Sequence, residues 1–138
     1  MEMGGADNEM ESSILALWTA ADKGLTKKVR SLLKADDSII DMITSSGETA
    51  LVGAVKGGHV STVQQLLSKG AKVNRRSIKN QDTPLHLAVN GGFDDVVQLL
   101  LAKGADMDAE NSSGQTPADL ASAPGKENVA VALRAEVA

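Results

Sequence analysis

His86 stands three residues after Thr83 in the stretch DTPLHLAVNGGFDDVVQLLLAKGADMD, and it is one of only two histidines in the chain. A hydroxyl and an imidazole at that spacing are the raw material of an activated nucleophile. Such chemistry needs the nucleophile, its base and an acid that orients the base. The other histidine, His59, follows Gly58 at a helix start, so the two occupy different positions in their segments. Neither has an i, i+4 partner, the arrangement that two zinc ligands on one helix would show. The chain has no Cys, which removes thiolate nucleophiles, Cys-type zinc sites and disulfides together. It also lacks a P-loop, a G-x-G-x-x-G and an H-E-x-x-H pattern. No catalytic residue, metal ligand or cofactor site is therefore assigned, and no small-molecule substrate is expected.

The elements that must position these residues are aliphatic. Trp and Phe occur once each and Tyr not at all, so Leu, Val, Ile, Ala and Met must build the core of this 138-residue chain. That length suits one domain with a sizeable core. The formal net charge is −4, which weakens a broad nucleic-acid interface. The first eleven residues carry four acids and no base, unlike a transit or signal peptide. No apolar run approaches the ~20 residues that a bilayer crossing needs. These features lead us to expect a soluble protein of the cytoplasm or nucleus, with no membrane partner.

The quoted stretch repeats. Thr49, Thr83 and Thr116 recur at a nearly constant interval. Ala54, Ala88 and Ala121 keep the same phase, as do Gly58, Gly92 and Gly125, and Leu66, Leu100 and Leu133. One period upstream, Ala20, Gly24, Val29 and Leu32 fall in register within ILALWTAADKGLTKKVRSLL. Four units of about 33 residues result, the middle two regular and the outer two atypical.

Together these recurrences resemble the ankyrin repeat family over roughly residues 11–138. The resemblance implies an all-α solenoid, in which stacked helix-turn-helix units are joined by β-turn fingers. The expected organisation is a disordered tail at 1–10, a capping repeat at 11–43, repeats at 44–77 and 78–110, and a second cap at 111–138. The residue chemistry agrees. Thr before Pro caps a helix and Pro preorganises its first turn. Asp94 and Asp95 complement the dipole of the second helix, and Lys103–Gly104 ends it. Within that frame His86 ties its turn to Thr83 and to the neighbouring unit. Asn74 matches a position hydroxylated in some family members, against the plainer reading of a turn Asn bonding its own backbone. The chain departs from the pattern in "TALV" after Glu48, and in the turn at 77–82, which is one residue longer than its neighbours and carries Gln81 in place of Gly.

The resemblance also places function on a surface, a concave face of fingers and first helices that binds another protein. The family's variable contact positions fall here on Ser45, Ser46, Glu48 and Lys56, then on Lys79, Asn80, Asp82 and Asn90, and finally on Ser112, Ser113 and Gln115. The segment KGAKVNRRSIKNQ adds Arg75, Arg76 and the apolar Ile78, with Lys69, Lys72 and Lys79 nearby and no acid. It reads either as a basic finger aimed at an acidic partner, or as a solvated charge run neutralised by Asp106, Asp108 and Glu110. The expected face holds no aromatic side chain. Trp18 is assigned to packing in the first unit, and Gly57 and Gly91 withdraw side chains from two contact positions. Specificity should then be polar and salt-dependent, and the protein a monomer. Two readings accompany the adaptor or scaffold: a regulatory or inhibitory subunit docking on an enzyme, and polyanion contact through the basic finger.

Overall fold

The computed structural model describes residues 5–137, with side chains over 9–134. Eight α-helices follow in pairs: α1 Gly5–Asp22 with α2 Thr26–Ala35, α3 Ala50–Lys56 with α4 Val60–Ser68, α5 Pro84–Gly91 with α6 Asp94–Ala102, and α7 Pro117–Ala121 with α8 Glu127–Val137. A short 3₁₀ turn, Asp37–Ile39, leaves α2; Ser38 donates its hydroxyl and its N–H to Asp36, holding that carboxyl below the usual range. Among the described residues there is no strand, and none of the helices is long and apolar enough to cross a membrane. The pairs stack as two rows. Helices α1, α3, α5 and α7 pack in sequence, and α2, α4, α6 and α8 form the second row behind them.

The period seen in the sequence is the period of the core. Leu17, Leu51 and Leu85, one period apart from each other, are all at most 1% exposed, and Ala20, Ala54, Ala88 and Ala121 form a second buried ladder. Small Ala lets the first helices approach closely, while Val29, Val63 and Val129 with Leu66, Leu100 and Leu133 fill the second row. A single pair could not cover these side chains; each is buried because the next pair lies against it.

Local signals set the helix ends. Thr49, Thr83 and Thr116 each accept the N–H three residues on, from Val52, His86 and Asp119. Pro follows two of these caps, and Gly92 ends α5 in the left-handed conformation. The amino-terminal boundary differs from expectation: α1 begins at Gly5, not at 11. The remainder of the expected tail, 1–4, lies outside the described residues.

Side chains also bridge the pairs. Asp41 accepts the N–H of Lys72 at 2.8 Å; one period later Asn74 accepts that of Asp106 at 2.8 Å and donates to the carbonyl of Gly104 at 3.2 Å. Asn74 thus binds the next repeat and not its own turn, because the following loop is presented within reach by the stack.

Candidate functional site

Three fingers precede α3, α5 and α7, and each is closed by one backbone bond across its base. Thr44 N–H donates to Glu48 O at 3.0 Å and Asn111 N–H to Gln115 O at 3.0 Å, whereas Ser77 N–H donates to Asp82 O at 2.9 Å. The middle finger is therefore one residue longer, as its sequence predicts. Gly47, Gln81 and Gly114 occupy equivalent positions with φ of 84°, 62° and 74°. Gln81 alone among non-glycine residues described here adopts a positive φ, and an L side chain there is strained by about 1–2 kcal/mol. The fingers are joined side by side: Ile78 N–H donates to Gly47 O at 3.3 Å, and Ser112 N–H to Asn80 O at 3.0 Å.

His86 holds the base of this row. Its ring is fully buried, and Nδ1 lies 3.0 Å from Thr83 N, which can only donate. Nδ1 is thus an acceptor, and in the neutral ring the proton sits on Nε2, which donates to the carbonyl of Gln115 in the next finger at 2.8 Å. Thr83 Oγ1 is 2.8 Å from Nδ1 and also caps the helix. Both ring nitrogens serve structure, and no carboxylate orients the imidazole among its bonds. His59 is also tied to its neighbour, with Nε2 2.8 Å from the carbonyl of Asp22. Among the described residues no cluster of three or more potential ligands is arranged to hold a metal.

The residues singled out by sequence divide into braces and exposed groups. Ser45, Ser46, Lys56, Arg75, Lys79, Asn90 and Ser113 are exposed, and Ile78 is 61% exposed at the middle tip. Asp82 is 5% exposed and its carboxylate accepts from Asn111 Nδ2 at 2.9 Å. It links two fingers and is not presented outward, a correction to its placement among contact residues. Asn80 accepts from Ser77 Oγ at 2.9 Å and from the Ser112 hydroxyl at 3.0 Å, and the Gln115 carbonyl accepts from His86. Arg76 donates to Gln81 O at 3.1 Å and, by a short bond, to Glu110 O, so its guanidinium pins the middle finger to the loop beyond.

One aromatic lies beside the first finger. Trp18 is half-buried and its indole N–H donates to Glu48 at 3.2 Å, while the other oxygen of that carboxylate pairs with Lys56 at 2.9 Å. Trp18 therefore borders the first finger and its predicted contact residues. Register could have found it, since Trp18 stands one period before Val52 and two before His86. Ser45 lines a groove of about 360 Å³ with Glu11, Ile14, Leu15, Ile43 and Thr44. Gly57 and Gly91 also have a packing role: a β-carbon there would collide with the rings of His59 and Phe93, respectively.

The electrostatics of the middle finger are simple. Lys56–Glu48 is the sole ion pair among the described residues, so Lys69, Lys72, Arg75 and Lys79 have no carboxylate within pairing distance there. Direct neutralisation by Asp106, Asp108 or Glu110 does not occur.

Stacked helix pairs with cross-braced turns define a helical-repeat protein. The family model "Ankyrin repeats (3 copies)" matches residues 3–77, more than half of the chain, and "Ankyrin repeat" matches residues 80–112. The chain belongs to the ankyrin repeat family. It is similar to the ankyrin repeat and KH domain-containing protein mask-1 of Caenorhabditis elegans, at 48% identity over 56 residues. That match covers 41% of this chain and spans about 2% of the relative's length. Ankyrin repeats are in general protein–protein interaction modules and typically non-enzymatic.

Proposed function

We propose that this chain is an adaptor whose finger row and first helices receive an acidic segment of a partner protein. The middle finger, through Arg75, Ile78 and Lys79, is the principal contact. The observation that carries the reading is charge without a counter-charge: four cations on one loop, none paired among the described residues, beside an apolar tip. Solvated unpaired cations keep their full field for an incoming carboxylate, so they favour encounter and selectivity more than bulk affinity. Trp18 and the groove beside Ser45 supply apolar surface at one end of the same row.

The test is a quantitative pull-down from source-cell extract with wild type and an Arg75→Ala, Ile78→Ser, Lys79→Ala variant. Arg76 is kept, because its removal would loosen two fingers and confuse binding with folding. Circular dichroism must show the variant folded. Retention by wild type and loss by the variant supports the finger; equal retention places the contact elsewhere. An activity assay on the captured partner then separates adaptor from inhibitory subunit. A shift with heparin alone, unaffected by partner protein, would favour polyanion binding instead.

A further inference from the structure

The outer face of α1 and α2 carries the positions that the second repeat uses to stack on the first. Thr19, Lys23, Leu25 and Lys28 stand one period before Gly53, Gly57, His59 and Thr62. Each of those four faces the preceding repeat. A β-carbon at Gly53 would lie 3.1 Å from Nε1 of Trp18, and one at Gly57 would lie 3.1 Å from the carbonyl of Asp22. His59 bonds that same carbonyl, and its ring covers Gly24, where a β-carbon would be 2.6 Å from Nδ1. Thr62 Oγ1 lies 2.8 Å from Thr26 Oγ1. The pattern recurs one period on, where Phe93 covers Gly58.

Among the described residues, the same face is open and apolar in the first unit. Leu15 is 55% and Leu25 50% exposed, and they line a groove of about 420 Å³ with Ala16, Thr19, Ala20, Lys23 and Lys28. Lys23 and Lys28 only rim this hydrophobic floor.

The last repeat presents the matching set. The positions equivalent to Asp22, Gly24 and Thr26 there are Ala123, Gly125 and Glu127, all exposed. Nothing among the described residues lies within 4 Å of where a β-carbon at Gly125 would be. Laying one copy's first repeat on another's last, in the register used inside the chain, seats Leu25 over Gly125 as His59 sits over Gly24. It also sets Lys28 opposite Glu127, where the internal stack has Thr62 opposite Thr26. The internal polar contact becomes a charge pair of the correct sign.

We infer that two copies of this chain associate head to tail, the α1–α2 face of one on the α7–α8 face of the next. The contact is heterologous, so it does not close at a dimer unless its rotation forms a ring. It uses neither the fingers nor the basic loop, departs from the expected monomer, and stands or falls apart from the adaptor reading.

Sedimentation equilibrium tests it with three proteins: wild type, Leu25→Arg and Glu127→Arg, each checked for intact fold by circular dichroism. Wild type should gain weight-average mass with concentration, past twice the monomer, and each variant alone should stay monomeric over the same range. An equimolar mixture of the two variants should reach a one-to-one complex and stop there, since each keeps the face the other has lost. Three results overturn the inference. The first is a wild type that remains monomeric up to about millimolar concentration, the range of weak contacts. The second is a mixture that stays monomeric while wild type associates, which shows that the two faces do not complement each other. The third is Glu127→Arg alone associating like wild type, which indicates a symmetric contact through α1–α2 or places the second surface elsewhere.

Discussion

His86 donates from one ring nitrogen and accepts at the other, and the ring is buried. Replacing it with Ala leaves the Thr83 N–H without a partner and takes from the Gln115 carbonyl one of its two donors, the other being Asn111 N–H, in addition to opening a cavity. His86→Ala should therefore destabilise by about 2–4 kcal/mol, counting one unsatisfied buried group and lost packing. Thermal or urea unfolding checks this. A loss smaller than the contribution of a single ordinary hydrogen bond would show that water replaces the ring without cost. Gln81 is the converse case. Its φ of 62° is a conformation that its equivalents Gly47 and Gly114 adopt without a β-carbon. Relief of about 1–2 kcal/mol of strain less about 0.5–1 kcal/mol of extra glycine entropy makes Gln81→Gly stabilising by roughly 0.5–1 kcal/mol. Urea midpoints of the two proteins at equal slope decide it, and a lower midpoint for the glycine variant would disprove the strain.

At the scale of elements, a glycine inside a helix normally costs stability relative to Ala. Gly91, the last residue of α5, inverts that rule because the ring of Phe93 lies where its β-carbon would be. Gly91→Ala should destabilise by about 1–3 kcal/mol, the range for overpacking. In a Phe93→Ala background the same change should be neutral or favourable. A double-mutant cycle measures this, and coupling below about 0.5 kcal/mol would mean that the ring swings aside freely. The sequence displayed Gly91 but not this reason, since proximity to an aromatic two residues later depends on the turn between them. The repeat period, the Thr caps and the longer middle finger were legible because each is a local or strictly periodic signal. What was hidden depended on the stack. Asp82 looked like an exposed contact until the next finger delivered Asn111 to it. Arg76 looked like a free cation until the following loop delivered a carbonyl. Trp18 was visible, but its bond to Glu48 spans a whole repeat and exists only once α1 lies beside the first finger.

For the whole molecule, the ladder of buried leucines makes stability a sum over neighbours and not a property of one centre. Leu85 lies in α5, fully buried, with α3 on one side and α7 on the other. Leu133 lies in α8, 4% exposed, in the final pair, where α7 is only five residues long. Either change to Ala removes comparable apolar volume, at about 2–5 kcal/mol locally. The consequences should nonetheless spread differently. Leu85→Ala weakens the interfaces on both sides of α5 and uncouples the last pair from the first two, so amide hydrogen exchange should speed up across α5–α8. Leu133→Ala should release α7 and α8 alone, leaving the amides of α3–α6 as protected as in wild type. Native-state exchange on both variants reads this directly. If Leu133→Ala instead accelerated exchange in α3 and α4 as much as in α8, the four pairs would be one cooperative unit. The one-dimensional description would then fail for an array this short. If the contrast holds, the finger row can lose its last member without losing the middle one, because Arg75, Ile78 and Lys79 rest on α3 to α6 and not on the terminal pair.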